Sequence, residues 1–340
     1  MKKSEYLKKK VRHIDIKSFD STSIIDSMRE MSFTSRETAN AADIYNRMIN
    51  DPEATIIMTL AGSTSAAGCM HIYSDMIRHR MVDVVVATGA SVVDMDFFEA
   101  LGFHHYQGSQ HVSDTDLRNK YIDRIYDTYI DEKELQVCDM AVKAIADSLV
   151  PGVYSSREFI REMGRYLKDH GRKKDSLVLA AFEKDVPVFC PAFSDSSAGF
   201  GLVSHQWERP GKHVSIDSVK DFRELTMIKM KAPVSGLFMI GGGVPKNFAQ
   251  DTVICAEVLG TEVPMHRYAV QITVADVRDG ACSSSTLKEA SSWGKVDTVY
   301  EQMVYAEATT VLPLIVSYVY HKDRWKKRRE RKWQKLFDKK

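Results

Sequence analysis

The densest chemistry in the sequence lies between residues 276 and 296, DVRDGACSSSTLKEASSWGKV. Thr286 and Glu289 stand three apart, the spacing of a reciprocal N-terminal cap, so a short helix is expected to begin at Leu287. Gly294 suits the left-handed turn that ends such a helix. Glu289 and Trp293, four apart, share a face, and Lys295 follows at once. A lysine attacks an imine or aldehyde carbon only as the neutral amine, and an apolar wall such as an indole disfavours its charged form. The same indole face can hold an alkylammonium ion. Glu289 and Asp279 offer carboxylates to amines, though they would also hold Lys295 protonated. The residue types by themselves equally describe a capped helix with a packed tryptophan and a surface lysine.

Four other segments are small or acidic: Gly62-Ser63-Thr64-Ser65, Thr88-Gly89-Ala90, Asp195-Ser196-Ser197 and Gly241-Gly242-Gly243. Glycine lets a phosphate approach backbone N–H groups, and a following helix N-terminus favours anionic charge. None matches GxGxxG, and any one of them is readable as a tight turn. Together, at the ends of successive apolar runs, they point to a dinucleotide site.

The elements that must position these loops are visible as buried strands at 54–60 (ATIIMTL), 82–87 (VDVVVA), 186–190 (VPVFC), 234–240 (VSGLFMI) and 268–274 (YAVQITV). Amphipathic stretches such as 69–79 and 156–169 separate them. Continuous apolar strands alternating with helices predict an α/β fold, a doubly wound, mostly parallel, Rossmann-like sheet. Ligands in such sheets sit beyond the carboxyl ends of the strands. Residues 1–50 read as a helical N-terminal region, 51–320 as the nucleotide-binding catalytic domain and 321–340 as a basic tail.

The chain has 340 residues, 44% hydrophobic and 27% charged, within the range of a globular domain with a large core. No run approaches the roughly 20 apolar residues that span a bilayer. The N-terminal MKKSEYLKKK has charge without an apolar stretch behind it, so a cytoplasmic location is expected. Five cysteines without CxxC spacing argue against a disulfide framework and a zinc site. His104, His105 and His111 lack supporting ligand spacing, and no metal is expected. From 322 to 340, eleven Lys or Arg face three acids, a balance of +8 that leaves −7 on the rest of a chain with net charge +1. An acidic body suits a polycationic substrate. The tail, with Trp325, Trp333 and Phe337 on one face, reads as a solvated helix end rather than a nucleic-acid or lipid site.

Ser292-Trp293-Gly294-Lys295, preceded by Glu289, resembles the active-site signature of deoxyhypusine synthases and the related homospermidine synthases. The resemblance covers nearly the whole chain: 81–84 leading to Thr88, 187–195 (PVFCPAFSD), 241–246 (GGGVPK) and 305–308 (YAEA) occur in the family's order. It implies an NAD-dependent transfer in which an aminobutyl group from spermidine passes through an imine on Lys295 to an acceptor amine. It also implies a homotetramer with active sites between paired subunits. By motif match, NAD contacts fall at Ser63, Thr64, Thr88, Gly89, Ala90, Asp195, Gly242, Val274, Ala275, Glu307 and Ala308. Substrate contacts fall at Asp94, Asp279, Glu289 and Trp293, with Lys295 catalytic.

Departures bear on the substrate. Asn247 replaces a histidine, Phe200 and Cys282 replace aspartates, and Gln271 replaces an aromatic residue. A charged hydrogen bond contributes about 1.5–3 kcal/mol, so losing two alters amine recognition. The expected acceptor is therefore a small polyamine. A lysine of a translation factor is the alternative, and an NAD-binding regulatory subunit without transferase activity is a third reading.

Overall fold

The computed structural model describes residues 2–338. Its main sheet has six strands: β1 (Ala54–Leu60), β2 (Val84–Ala87), β3 (Val188–Phe189), β4 (Val234–Ile240), β5 (His266–Thr273) and β6 (Val296–Tyr305). All pairings are parallel and the order is β6-β5-β4-β1-β2-β3. This is the doubly wound order of nucleotide-binding sheets, whose direction reverses between β1 and β4. The predicted α/β class and parallel sheet are what the chain forms.

Strands β1 and β4 are buried at every position, which is why their unbroken apolar runs were legible. On one face, Ile56 and Phe238 share a core with the helices Phe33–Asn50, Met70–Arg78 and Ala308–His321. On the other, Ile57, Leu237 and Met239 pack under Ser218–Lys231, Gly243–Gln250 and Leu287–Ser292. The N-terminal helix Phe33–Asn50 buries Ala41, Ala42, Tyr45 and Met48, and Tyr45 stacks on Phe238 with ring centroids 4.3 Å apart. No helix among the described residues is long and apolar enough to cross a membrane.

Three expectations need correction. The run 82–87 forms a strand only from Val84, because Asp83 turns its carboxylate onto the Ile56 N–H at 2.8 Å. The run 186–190 shrinks to two residues, since Pro187 has no N–H for the ladder and only Val188 and Phe189 pair with β2. The basic tail is not a solvated helix end. The last helix stops at His321, and two tight turns, Arg324–Lys327 and Trp333–Phe337, fold the tail onto the body. Trp325 stacks on Tyr320 at 5.4 Å, and Arg328 donates to Asp83 at 2.8 Å with both side chains at most 5% exposed.

Candidate functional site

The loops predicted to hold a dinucleotide meet at the carboxyl edge of the sheet. Ser91 Oγ donates to the Gly62 carbonyl at 2.7 Å, tying the β1 and β2 loops together. A Cβ on Gly89 would fall 2.4 Å from Ser196 Oγ, so the loop of Thr88, Gly89 and Ala90 lies against that of Asp195. The β4 loop turns through Gly241 and Gly243, with φ of 75° and 61°, a region that favours glycine. Its Gly242 backbone packs so closely on Ser284 that a Cβ would stand 2.4 Å from the hydroxyl. Ser63 and Thr64 follow β1, and Thr64 Oγ1 lies 2.6 Å from the Tyr73 hydroxyl. Val274 is exposed just past β5, and the Ala275 N–H donates to Thr273 Oγ1 at 3.1 Å. Glu307 caps the helix that starts at Ala308, accepting from the Thr309 N–H at 3.0 Å.

This edge fits NAD. No atom lies within 4 Å of where a Cβ would stand on Gly62 or Gly243, so the backbone beside the switch point is open. The helix Gly243–Gln250 points its N-terminus there. Gln271, beneath the glycine loop, donates to the Gly241 carbonyl at 3.2 Å and to Ser284, while its Oε1 is buried without a partner among the described residues. Asp94 belongs to this edge, accepting from the Ser197 N–H at 2.8 Å. Burial pushes its carboxyl up to about 6, and Asp139 and Asp195 add to the rise.

The remaining residues expected to contact substrate sit on a separate arm. Asp279 lies in the turn after β5, its carboxylate accepting from the Ser283 N–H at 3.2 Å. Thr286 and Glu289 make the expected reciprocal cap of Leu287–Ser292, and these backbone bonds hold the Glu289 carboxyl below its usual range. Gly294 takes the left-handed turn at φ 72° and delivers Lys295 to the start of β6. Trp293 is 69% exposed rather than packed in the core, with the Lys295 ammonium 5.2 Å from its ring centroid. Lys295 is not in open solvent: its side chain is 16% exposed and pairs with Asp251 at 2.5 Å.

Asp251 and Lys246 are site residues that sequence reasoning missed. Lys246 is fully buried, with Nζ held by the Ser284 and Ser285 hydroxyls and the Ser285 carbonyl. Burial pushes its ammonium down to about 8; the Lys295 charge lowers it further and Glu289 opposes. It thereby pins the segment that leads into the lysine arm. Their only sequence signal was position, Lys246 closing the glycine loop and Asp251 five residues on.

The start of the arm packs on the glycine loop through Ser284, but its Lys295 end does not reach the cofactor loops within one chain. The Lys295 carbonyl accepts from the N–H of His266, the first residue of β5, whereas the cofactor loops leave the last residues of the strands. The strand between these edges spans roughly 23 Å at 3.3 Å per residue. Asp251, the partner of Lys295, lies about 12 Å along its helix from the glycine loop.

His105 Nδ1 lies 2.7 Å from Glu99, His104 contacts Lys173 and His111 is exposed, so the three histidines do not meet. No cluster of His, Cys, Asp or Glu able to hold a metal occurs among the described residues, and all five cysteines are free.

The family model described as deoxyhypusine synthase matches residues 23–319. A deoxyhypusine synthase-like protein of Coxiella burnetii is 64% identical over 336 residues, covering 98% of this chain and 96% of the relative. One from Caulobacter vibrioides is 62% identical over 341 residues, covering 99% and 93%. The crystal structure of an Entamoeba histolytica protein assigned as a deoxyhypusine synthase superposes with a TM-score of 0.61 at 18% identity, over 92% of this chain and 97% of that one. It shares the fold. With identity above 60% across nearly the whole length of two relatives, this chain belongs to the deoxyhypusine synthase family.

Proposed function

We propose that this protein is an NAD-dependent aminobutyl transferase that takes its group from spermidine or a related polyamine and delivers it, through an imine on Lys295, to a small polyamine. The observation that carries this reading is the Lys295 arm: an amine held between an exposed indole and a carboxylate, in a family member whose amine pocket has changed. NAD, when bound, supplies hydride acceptance and return. The protein's part is binding, orientation and proton movement. The Trp293 face and the Glu289 carboxylate receive the substrate's ammonium groups. Asp251 is in contact to take the Lys295 proton before attack. Lys246 holds the arm against the glycine loop.

The altered residues support a small acceptor. Phe200 and Cys282 present no charge at the surface, and Asn247 offers no titrating ring. A cleft beside the arm is lined by Glu37, Glu289 and Glu301 against one cation, Lys288, an acidic balance that suits a second ammonium group. Incubation with NAD, spermidine and putrescine is expected to release diaminopropane and form a longer triamine. Absence of any new amine, with label appearing on a translation factor instead, would replace this reading with protein modification.

The active site forms between two copies in this account, the lysine arm of one subunit meeting the cofactor edge of its partner. Phe200, Val203 and Trp207 form an exposed apolar stripe on Ser197–Glu208, with Trp207 86% exposed, next to Val137 and Met140 on a packed neighbour. That helix starts at Ser197, the residue bonded to Asp94, so the stripe adjoins the cofactor edge. Such a patch suits a subunit interface. Trp207→Glu is expected to yield smaller assemblies by light scattering that bind NAD and fail to transfer. An unchanged mass would remove the stripe from the interface.

Asp94 makes the reaction acid-sensitive. With its carboxyl raised to about 6, the charge that attracts an ammonium disappears as pH falls through that value. KM for the amine is expected to climb on that limb. Asp94→Asn should have a high KM that no longer changes between pH 5 and pH 7, about one unit either side; an unaltered profile would assign the limb elsewhere.

A further inference from the structure

A second charged cleft, which shares no lining residue with the lysine arm or the predicted cofactor contacts, lies between the N-terminal segment and the 173–175 loop. The N-terminal segment runs extended there. The Gln107 N–H donates to the Lys9 carbonyl at 2.7 Å, the Val11 N–H to His105 at 2.9 Å, and the Ile14 N–H to Gly68 at 2.9 Å. Lys10 and Tyr106 pair antiparallel, so the segment adds an edge to the small sheet that contains Tyr106. Lys8, Lys9, Lys10 and Arg12 thereby line one wall of a cleft of about 1140 Å³, with Lys173 and Lys174 on the other.

The charges in this cleft are unbalanced by construction. Its two carboxylates are already committed. Glu99, 3% exposed, lies 3.0 Å from His13 Nε2, 2.7 Å from His105 Nδ1 and 2.9 Å from Lys173 Nζ. His105 and His13 hold its carboxyl well below the usual range against the effect of burial. Asp175 lies 3.3 Å from Arg78. Lys8, Lys9, Lys10, Arg12 and Lys174 are exposed, and none pairs with a carboxylate among the described residues. His104 reports the resulting field: burial depresses its ring, and the charges of Lys173 and Lys10 depress it further. Five unpaired cations around one concavity on a pinned backbone are a receptor for concentrated negative charge.

We infer that this cleft binds a small multiphosphate anion, the Lys8–Arg12 segment and Lys174 closing on its phosphoryl oxygens while Glu99 fixes the floor. Phosphoryl groups fit better than a carboxylate because they present several acceptor oxygens to several converging ammonium groups. The cleft is walled on two sides, which favours a compact ligand over a polymer lying across a convex surface. The reading is independent of the transferase, because nothing in it uses Lys295 or the glycine loop.

Calorimetric titration of the full chain, saturated with NAD, with inorganic pyrophosphate and separately with a nucleoside triphosphate tests it. Saturable binding is expected, weakened at least about tenfold by raising salt from 0.05 to 0.2 M, roughly a halving of the screening length. The combined Lys8→Gln, Lys10→Gln, Arg12→Gln variant should lose at least about tenfold in affinity, one to two charge-assisted contacts. Its thermal unfolding should be unchanged, since those side chains hold no partner. Equal binding of pyrophosphate and nucleotide identifies phosphoryl recognition alone; tighter nucleotide binding adds contacts to the base. Binding that the variant retains, or that appears only without NAD, overturns the assignment. So does a single-stranded oligonucleotide that binds where both small anions fail.

Discussion

Lys295→Ala is expected to abolish aminobutyl transfer, by at least about 1000-fold, while NAD binding and the fold persist. The size follows from the chemistry: without the amine no covalent imine forms, and the group to be transferred has no carrier between donor and acceptor. The fold persists because Lys295 contributes a single ion pair, to an Asp251 whose side chain is 39% exposed, worth about 1 kcal/mol. Borohydride trapping reads the step directly. Wild-type protein should gain the mass of a reduced aminobutyl adduct on Lys295, and Lys295→Ala should gain none. Lys295→Arg should also fail, since a guanidinium remains protonated and is not a nucleophile. Equal labelling of wild type and Lys295→Ala would take this residue out of the mechanism and bring buried Lys246, whose ammonium feels the Glu289 charge, into question.

The second large effect is structural. Asp83 accepts the Ile56 N–H and pairs with Arg328, 3% and 5% exposed, and Arg328 also donates to the Ala54 carbonyl at 2.9 Å. This one junction joins the start of β1, the entry to β2 and the C-terminal tail. Arg331, 6% exposed, lies 3.9 Å from the same carboxylate. Asp83→Ala strands buried cations and is expected to cost about 3–5 kcal/mol, read by denaturant unfolding, whereas Arg328→Met should cost less because Arg331 stays beside the carboxylate. The double variant should cost less than the two singles together, because it leaves neither charge unpaired. Strictly additive costs would show that the tail docks through its aromatic contacts instead.

That junction also shows why part of the molecule was illegible in sequence. Asp83 and Arg328 are 245 residues apart, and nothing local in the tail distinguishes a cation that docks from one that is solvated. The runs 54–60 and 234–240 were readable because each residue is buried on both faces of the sheet. β6 was not, because VDTVYEQMVY alternates poorly and its register shifts opposite the His266–Tyr268 step. On the arm, the cap at Thr286 and Glu289 and the turn at Gly294 are local geometry and were visible from spacing. The ion pair of Lys295 with Asp251 and the burial of Lys246 depend on where a distant helix lies, so no spacing rule reached them. The position of the lysine at the opposite sheet edge from its cofactor loops appears only once the strand directions are known.

The central claim is that a working site combines the lysine arm of one subunit with the cofactor edge of another. Mixed assemblies measure this. Lys295→Ala subunits and subunits disabled for NAD by Gly62→Asp, which places a carboxylate beside the open backbone of the β1 loop without touching the arm, are each expected to be inactive alone. Refolded or co-expressed together, they should recover transferase activity, because some sites then pair an intact arm with an intact cofactor edge. Verified mixed assemblies that stay inactive while wild type, treated identically, transfers would contradict the shared site.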